Sequence, residues 1–475
     1  MKTNFIFFVT LITLTLSGGH TNAQSDGALD TSFVIGTGFN NGVKTIAVQP
    51  DGKIVVGGSF TNYNGTSQNR IARLNTDGSL DTSFNIGAGF TDNVKTIVIQ
   101  VDGKILVGGE FQSYNNGPFR NGIVRLNTDG SQDISFGSVF GGFNGAVKTI
   151  AIQADGKILI GGRLSLPNGT KWGILRLNTD GSLNTFGTGA SGFDGSVNAI
   201  IIQTDGKIIV GGSLNKYNGS FGNDIMRFNA NGSVDNTFFI FGAFHGDVDT
   251  LALQSDGKIL AGGTFRKGVG GARENYIARL NPGGSLDPFI IGASFSGDMD
   301  YADVRTIAVQ HDGKILVGGN FSSFKNIRTD GIARLNMDGT LDSSFVIGTG
   351  FYSLPTTSAF LETIALQSDG KILAGGVFSN YTGISRNSIA RLRNGTLTVS
   401  DVSKKEIILY PNPVKDIVNF TKEIKTAEIY SLDGRKIIDN IKGKSVDLSK
   451  LEKGNYILKG IDKDENMISE KFIKN

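Results

Sequence analysis

The tripeptide Asp-Gly-Lys occurs seven times, starting at Asp51, Asp102, Asp155, Asp205, Asp256, Asp312 and Asp369, at intervals of 50 to 57 residues. Around each copy the same words return in the same order. In the second unit they are VKTIVIQ (Val94–Gln100), the turn, KILVGGEF (Lys104–Phe111), a loop and GIVRLN (Gly122–Asn127). A second Asp-Gly turn at Asp129 then leads into SQDISF (Ser131–Phe136). Short runs of Val, Ile, Leu and Phe split by Asp-Gly and Asn-Gly turns spell antiparallel hairpins. No sustained helical period of apolar residues precedes residue 400. Each unit is thus a four-stranded meander, too long for one coil of a β-helix and too small to own a core. Such units stack radially, so the expected fold is all-β, a seven-bladed β-propeller of four-stranded blades.

The chain opens out of phase with this repeat. ALDTSF (Ala28–Phe33) matches the end of a unit, while the last unit, around Asp369, supplies three strands and no proper fourth. A ring closes best if the early strand completes the last blade and leaves no open seam. The competitor, TLTV (Thr396–Val399), lacks the Asp and Phe of the fourth-strand phrase.

Before Gln24 lie a positive start at Lys2, an apolar run from Phe5 to Leu16 and a small-residue site at Thr21-Asn22-Ala23. This is the pattern of a cleaved export signal, shorter than a membrane span. No other stretch is apolar enough to cross a bilayer, so no membrane span is expected in the mature chain. The chain has no Cys, so disulfides do not hold it together. Its 46 basic and 43 acidic residues are interspersed, which excludes the basic footprint of a nucleic-acid binder.

The phrases DGKI(L/V)xGGxF and RLNxDGSLDxSF resemble the delta-60 repeat family over residues 26 to 395. That resemblance implies a β-propeller and little about activity. From residue 405 the chain turns Lys-rich and Gly-poor. ILYPNPVKDIVNF (Ile408–Phe420), AEIYSLDGRKI (Ala427–Ile437) and LEKGNYILKGI (Leu451–Ile461) follow in order. They resemble the type A C-terminal sorting domain of the type IX secretion system, a small β-sandwich. Its specific words are Tyr410, Pro411, Asn412 and Pro413, then Gly454 and Tyr456. The resemblance implies passage through the periplasm and the type IX machinery to the outer cell surface or the medium. The expected organisation is a signal peptide over 1–23, the propeller over 24–397, a linker over 398–404 and the sorting domain over 405–475.

Seven Gly pairs, Gly57-Gly58 through Gly375-Gly376, end strands without opening a helix. They fit close blade contact or a bulge better than a phosphate cradle. Each third strand carries an Arg (Arg73, Arg125, Arg176, Arg227, Arg279, Arg334, Arg391), and the fourth-strand phrase carries Asp, or Asn at Asn184. These positions face each other across a short turn, so a charge pair within each blade is expected. The Asp-rich turns lack the ligand set of a Ca²⁺ loop. Two His, His245 and His311, remain after the leader. No metal, no cofactor and no catalytic residue is expected. Binding is expected on the loops that vary between blades. The candidates there are Trp172, Tyr63, Tyr114, Tyr217, Tyr381, Arg266 and Arg273. The sequence therefore points to a secreted or surface monomer that binds a glycan or protein without catalysis. The alternative is a polysaccharide-active or lyase-type enzyme on the same fold.

Overall fold

The computed structural model describes residues 25–394 except 118–121, 138–142, 166–171, 187–191, 215, 219, 222–223, 239, 241–243, 268–275, 289–294, 298–301 and 354–358. In the tail it describes residues 409–474 except 411–413, 432–435 and 464–466. The chain forms two compact units, Met1–Thr396 and Leu397–Asn475.

In the first unit, each repeat folds as expected into an antiparallel blade. In the first blade Val43–Val48 pairs with Ile54–Gly58, which pairs with Ile71–Leu74. The fourth strand is shorter than the sequence implied: in the first blade it is the single bridge Leu74–Leu80. The reason is local. Asp81 accepts hydrogen bonds from the backbone N–H and the hydroxyl of Ser83, and this Asx turn bends the chain immediately after the bridge. The connection between second and third strands carries a small hairpin instead, Asn62–Tyr63 against Thr66–Ser67. Asn64 and Gly65 turn it, both at positive φ.

The Gly pair does both jobs foreseen for it. A Cβ on Gly57 would lie 2.4 Å from Val94 Cγ1, so the bare backbone is where the next blade packs. A Cβ on Gly58 would lie 2.2 Å from the Gly42 carbonyl, where the register shifts between Val43 and Thr45 as a bulge. The same contact recurs around the ring and ends with Gly375 against Val43, which packs the last blade on the first.

The Arg of the third strand reaches further than one blade. Its Nε donates to the fourth-strand Asp at 2.7–2.9 Å in six blades, and in the third blade Arg176 donates to Asn184 at 2.8 Å. Its Nη1 donates to the next blade, for example Arg73 to the Thr128 carbonyl and Arg125 to the Thr179 carbonyl. The guanidinium also covers a Phe of its own fourth-strand phrase, as Arg73 covers Phe84 at 4.6 Å. Charge pairing was legible in the sequence; the bond to the neighbouring blade was not.

The seam is closed by the N-terminal strand. Leu29 bridges Leu392, Asp30 N–H donates to the Arg391 carbonyl, and Arg391 Nε donates to Asp30 at 2.8 Å. Gly27 N–H donates to the Arg393 carbonyl and Arg393 N–H to the Ala28 carbonyl. These two bonds reproduce those of Gly78 to Asn75 and of Asn75 to Ser79 in an intact turn. The turn is thus rebuilt from two distant segments. The competitor Thr396–Val399 lies outside the described residues.

In the second unit the long strand Ile417–Ser431 pairs with Leu409–Tyr410, Lys436–Asp447 and Gly454–Asp462, and the last of these pairs with Met467–Lys474. Val418, Phe420, Ile429, Leu458 and Phe472 form its core. Among the described residues no helix is long and apolar enough to cross a membrane.

Candidate functional site: a charged ring on the first strands

The first strands are Val43–Val48, Val94–Ile99, Val147–Ile152, Val197–Ile202, Val248–Leu253, Asp303–Val309 and Phe360–Leu366. Each contacts the first strands of both neighbours, and the last contacts the first, so together they circle the axis. Each carries, as its first or second residue, a buried Val or Leu (Val43, Val94, Val147, Val197, Val248, Val304, Leu361) that packs against a neighbouring blade's Gly. The next residue cannot join that apolar layer. In blade order it is Lys44, Lys95, Lys148, Asn198, Asp249, Arg305 and Glu362. This column sits where the loops that vary between blades enter the first strands.

The side chains of the column link one blade to another. Lys44 pairs with Glu362 at 3.2 Å, and Glu362 pairs with Arg305 at 2.8 Å. Arg305 also holds Asp303 at 2.9 Å. On the other side, Lys148 Nζ donates to Asn198 Oδ1 at 2.9 Å, and Asn198 Nδ2 donates to Asp249 Oδ1 at 3.0 Å. Lys95 pairs with Glu110 of its own blade at 3.0 Å. Lys148 has no ion-pair partner among the described residues.

Two of these groups are shifted from their ordinary values, Asp249 strongly. Burial, then the charges of Asp247 and Asp303, push the Asp249 carboxyl up to about 7, against the pull of Lys148 and Arg305. Burial also lowers the Lys148 ammonium, with repulsion from Lys95 added and attraction to Asp249 opposing. Yet the Lys148 side chain is open to solvent. Near neutrality Asp249 both donates and accepts, Asn198 does the same, and Lys148 offers a cation without a carboxylate. Perturbed groups linked in this way are candidates for a functional site. Among the described residues no group of three or more His, Asp or Glu could hold a metal ion.

The structure places the expected binding residues elsewhere. Tyr63, Tyr114 and Tyr381 are buried, and their hydroxyls donate to the carbonyls of Gly78, Gly130 and Gly27. Each also meets a Phe ring, as Tyr63 meets Phe39 at 4.5 Å. Their recurrence therefore comes from packing, and this corrects the expectation that they bind. Tyr217 is half-buried against Phe193 and Phe228. Trp172 is half-buried against the core of the third blade, with its indole N–H unpartnered. Arg266 lies on a two-residue strand opposite His245, and Arg273 lies outside the described residues. His311 is exposed at its turn. In the tail, Tyr456 stacks on Phe472 and donates to the Glu452 carbonyl, Gly454 pairs with Lys474, and Tyr410 is half exposed. Pro411, Asn412 and Pro413 lie outside the described residues.

The Lys of each Asp-Gly-Lys turn also belongs to the blade. Lys53, Lys104 and Lys207 reach the buried Asp81, Asp133 and Asp235 at 2.7–3.0 Å. Reversing their charge would therefore disturb the fold. Where Asn184 replaces the Asp, Lys157 pairs with its own turn residue Asp155.

Comparison with known proteins agrees with this architecture. The model of a domain of unknown function, the DUF5122 β-propeller, matches residues 49–84, 100–136, 153–186, 203–238, 254–289, 310–345 and 367–396. A secretion-system C-terminal sorting domain matches residues 408–475. That tail indicates type IX export to the cell surface or secretion, and with it engagement of the secretion machinery. No curated protein matches. Among solved structures, the extracellular domain of the hybrid two-component system BT4673 from B. thetaiotaomicron is 12% identical at a TM-score of 0.43, covering 95% of this chain and 58% of that one. PorZ, a surface component of the type IX secretion system of Porphyromonas gingivalis, is 12% identical at 0.35, covering 91% and 65%. A PL25 ulvan lyase is 14% identical at 0.35, covering 76% and 96%. The chain thus spans less than two thirds of BT4673 and of PorZ. Its seven repeats and their matched stretches, about half of its length, settle its family: the chain belongs to the DUF5122 β-propellers.

Proposed function

We propose that this protein works outside the cell as a non-catalytic binding propeller and takes its ligand over the ring from Lys44 to Glu362. One observation carries the reading. The turns, Gly pairs and Arg contacts repeat almost unchanged because blade packing needs them, while on the first strands the position after the buried Val or Leu changes from blade to blade. A position that served only packing would repeat. A recognition site must break the symmetry of its scaffold. In the sequence the segments 294–303 and 352–360 lead directly into the first strands that carry Arg305 and Glu362. Trp172, Arg266 and Arg273 remain rim candidates on the loops between second and third strands.

The test is a combined glycan and peptide array probed with the full chain and with Lys148→Ala and Asn198→Ala. Removing a hydrogen bond to a charged group costs about 1.5–3 kcal/mol, so roughly tenfold or more of the affinity for the array hits should be lost. Melting temperature should move by no more than about 2 °C for Lys148→Ala, whose side chain is exposed. Hits that both variants keep at full strength contradict the reading. A second reading rests on Asp249. A carboxyl near neutrality can serve as a general acid in a polysaccharide-active enzyme. It gains the argument if an array hit is cleaved and Asp249→Asn abolishes the cleavage.

A further inference from the structure

The charges of the ring are not distributed evenly. From Asp303 through Arg305 and Glu362 to Lys44, signs alternate and every charge is paired within 3.2 Å. That arc is complete without a ligand. From Lys44 through Lys95 to Lys148, three cations follow one another in adjacent blades. Glu362 and Glu110 serve the first two, while among the described residues Lys148 has the Asn198 amide and no carboxylate. Three adjacent cations repel, and an arc selected for stability alone would have alternated as the other does. Beyond Lys148 come two groups that bond without net charge, the Asn198 amide and, in its protonated form, the Asp249 carboxyl.

We propose that the ligand is a sugar acid, a polyhydroxyl ring bearing a carboxylate or sulfate. Its anionic group sits on the lysine arc, and its hydroxyls sit on Asn198 and Asp249. This rests on the ring being the binding site. Lys148 and Ser196 already donate to the Asn198 oxygen, so the amide offers its remaining N–H, and the acid offers a donor and an acceptor; together they complement sugar hydroxyls. Inorganic phosphate would use the lysines and leave both idle. A nucleic acid would need a far wider basic surface than three residues.

The site also sets a pH dependence. Asp249 faces Asp247 from its own blade, Asp303 and Arg305 from the next, and Lys148 through Asn198. Protonated, it donates to a hydroxyl; ionised, it repels the incoming anion. Affinity should therefore fall as pH rises through about 7.

The experiment is titration calorimetry on the full chain. The probes are polygalacturonate, free galacturonate and chondroitin sulfate, with dextran, xylan, poly-glutamate and inorganic phosphate as comparisons. The acidic sugars should bind and the comparisons should not. Free galacturonate and the polymer separate a small sugar acid from a chain end. Lys148→Ala should weaken binding about tenfold or more and Lys148→Arg should restore most of it. Binding should be several-fold tighter near pH 6 than near pH 8, and Asp249→Asn should erase that difference. Acidic sugars that fail to bind at millimolar concentration overturn the proposal, as does equal binding of poly-glutamate or phosphate. Neutral glycans that need Asn198 but not Lys148 would overturn it and leave the ring as the binding site. Acidic sugars whose affinity none of the variants changes would overturn the ring itself.

Discussion

Deleting residues 25–35 is expected to open the ring and lower the melting temperature by on the order of 10 °C or more. The strand buries Leu29, Phe33 and Ile35, each worth about 1.5–3 kcal/mol. It also supplies Asp30, only 2% exposed, as the partner of Arg391. Stripping one partner from a buried pair costs about 3–5 kcal/mol, because the other charge stays behind uncompensated. The total approaches the whole stability of an ordinary domain, roughly 5–15 kcal/mol. Deleting Thr396–Val399 should leave the melting temperature within about 2 °C. Equal losses from the two deletions, read by differential scanning calorimetry, would contradict closure by the N-terminal strand.

The second large effect lies in the Arg–Asp pair inside a blade. Asp235→Ala should destabilise by about 3–5 kcal/mol, because Arg227 is then buried without its carboxylate. The third blade is the natural contrast. Asn184→Asp would give Arg176 and Lys157 the carboxylate their counterparts have, so it should stabilise by roughly 1 kcal/mol. The pH dependence follows from the same groups. Burial pushes Asp81, Asp133, Asp235 and Asp342 up, but bonds from a following Ser or Thr, the turn Lys and the third-strand Arg outweigh it and hold them well below the usual range. A lowered carboxyl contributes stability above its unfolded value and loses it as pH falls, so melting temperature should drop steeply below about pH 4. Asp249 has the opposite sign: raised in the folded chain, it favours folding at low pH and loses that contribution as pH rises toward about 7. Asp249→Asn should remove that shallow decline. Thermal melts across pH check both slopes, and a wild-type melting temperature that holds from pH 4 downward would contradict the role given to the four Asp residues.

Much of the fold was legible because blade packing imposes the same demands seven times. Gly57 must be bare for Val94, the turn Asp must cap its own turn, and the out-of-phase Ala28–Phe33 phrase signalled the closure. Two features were not legible. The fourth strand ends early because Ser83 turns the chain through Asp81, and a run such as LDTSF looks extended until that bond is seen. The recurring Tyr63, Tyr114 and Tyr381 suggested a binding surface, but recurrence was the mark of packing. The ring residues stood in plain view one place after Val43 and its counterparts. Lys, Asn, Asp, Arg and Glu there carry no motif and share no spacing in the chain. Only the circle of first strands brings positions some fifty residues apart within hydrogen-bond reach.

A crystal structure of the full chain grown with the acidic sugar that binds best shows whether a ligand sits over this ring. The expectation is ligand density within hydrogen-bond distance of Lys148, Asn198 and Asp249. Density confined to the blade flanks or to the Asp-Gly-Lys turns, with the ring left to water, would contradict it.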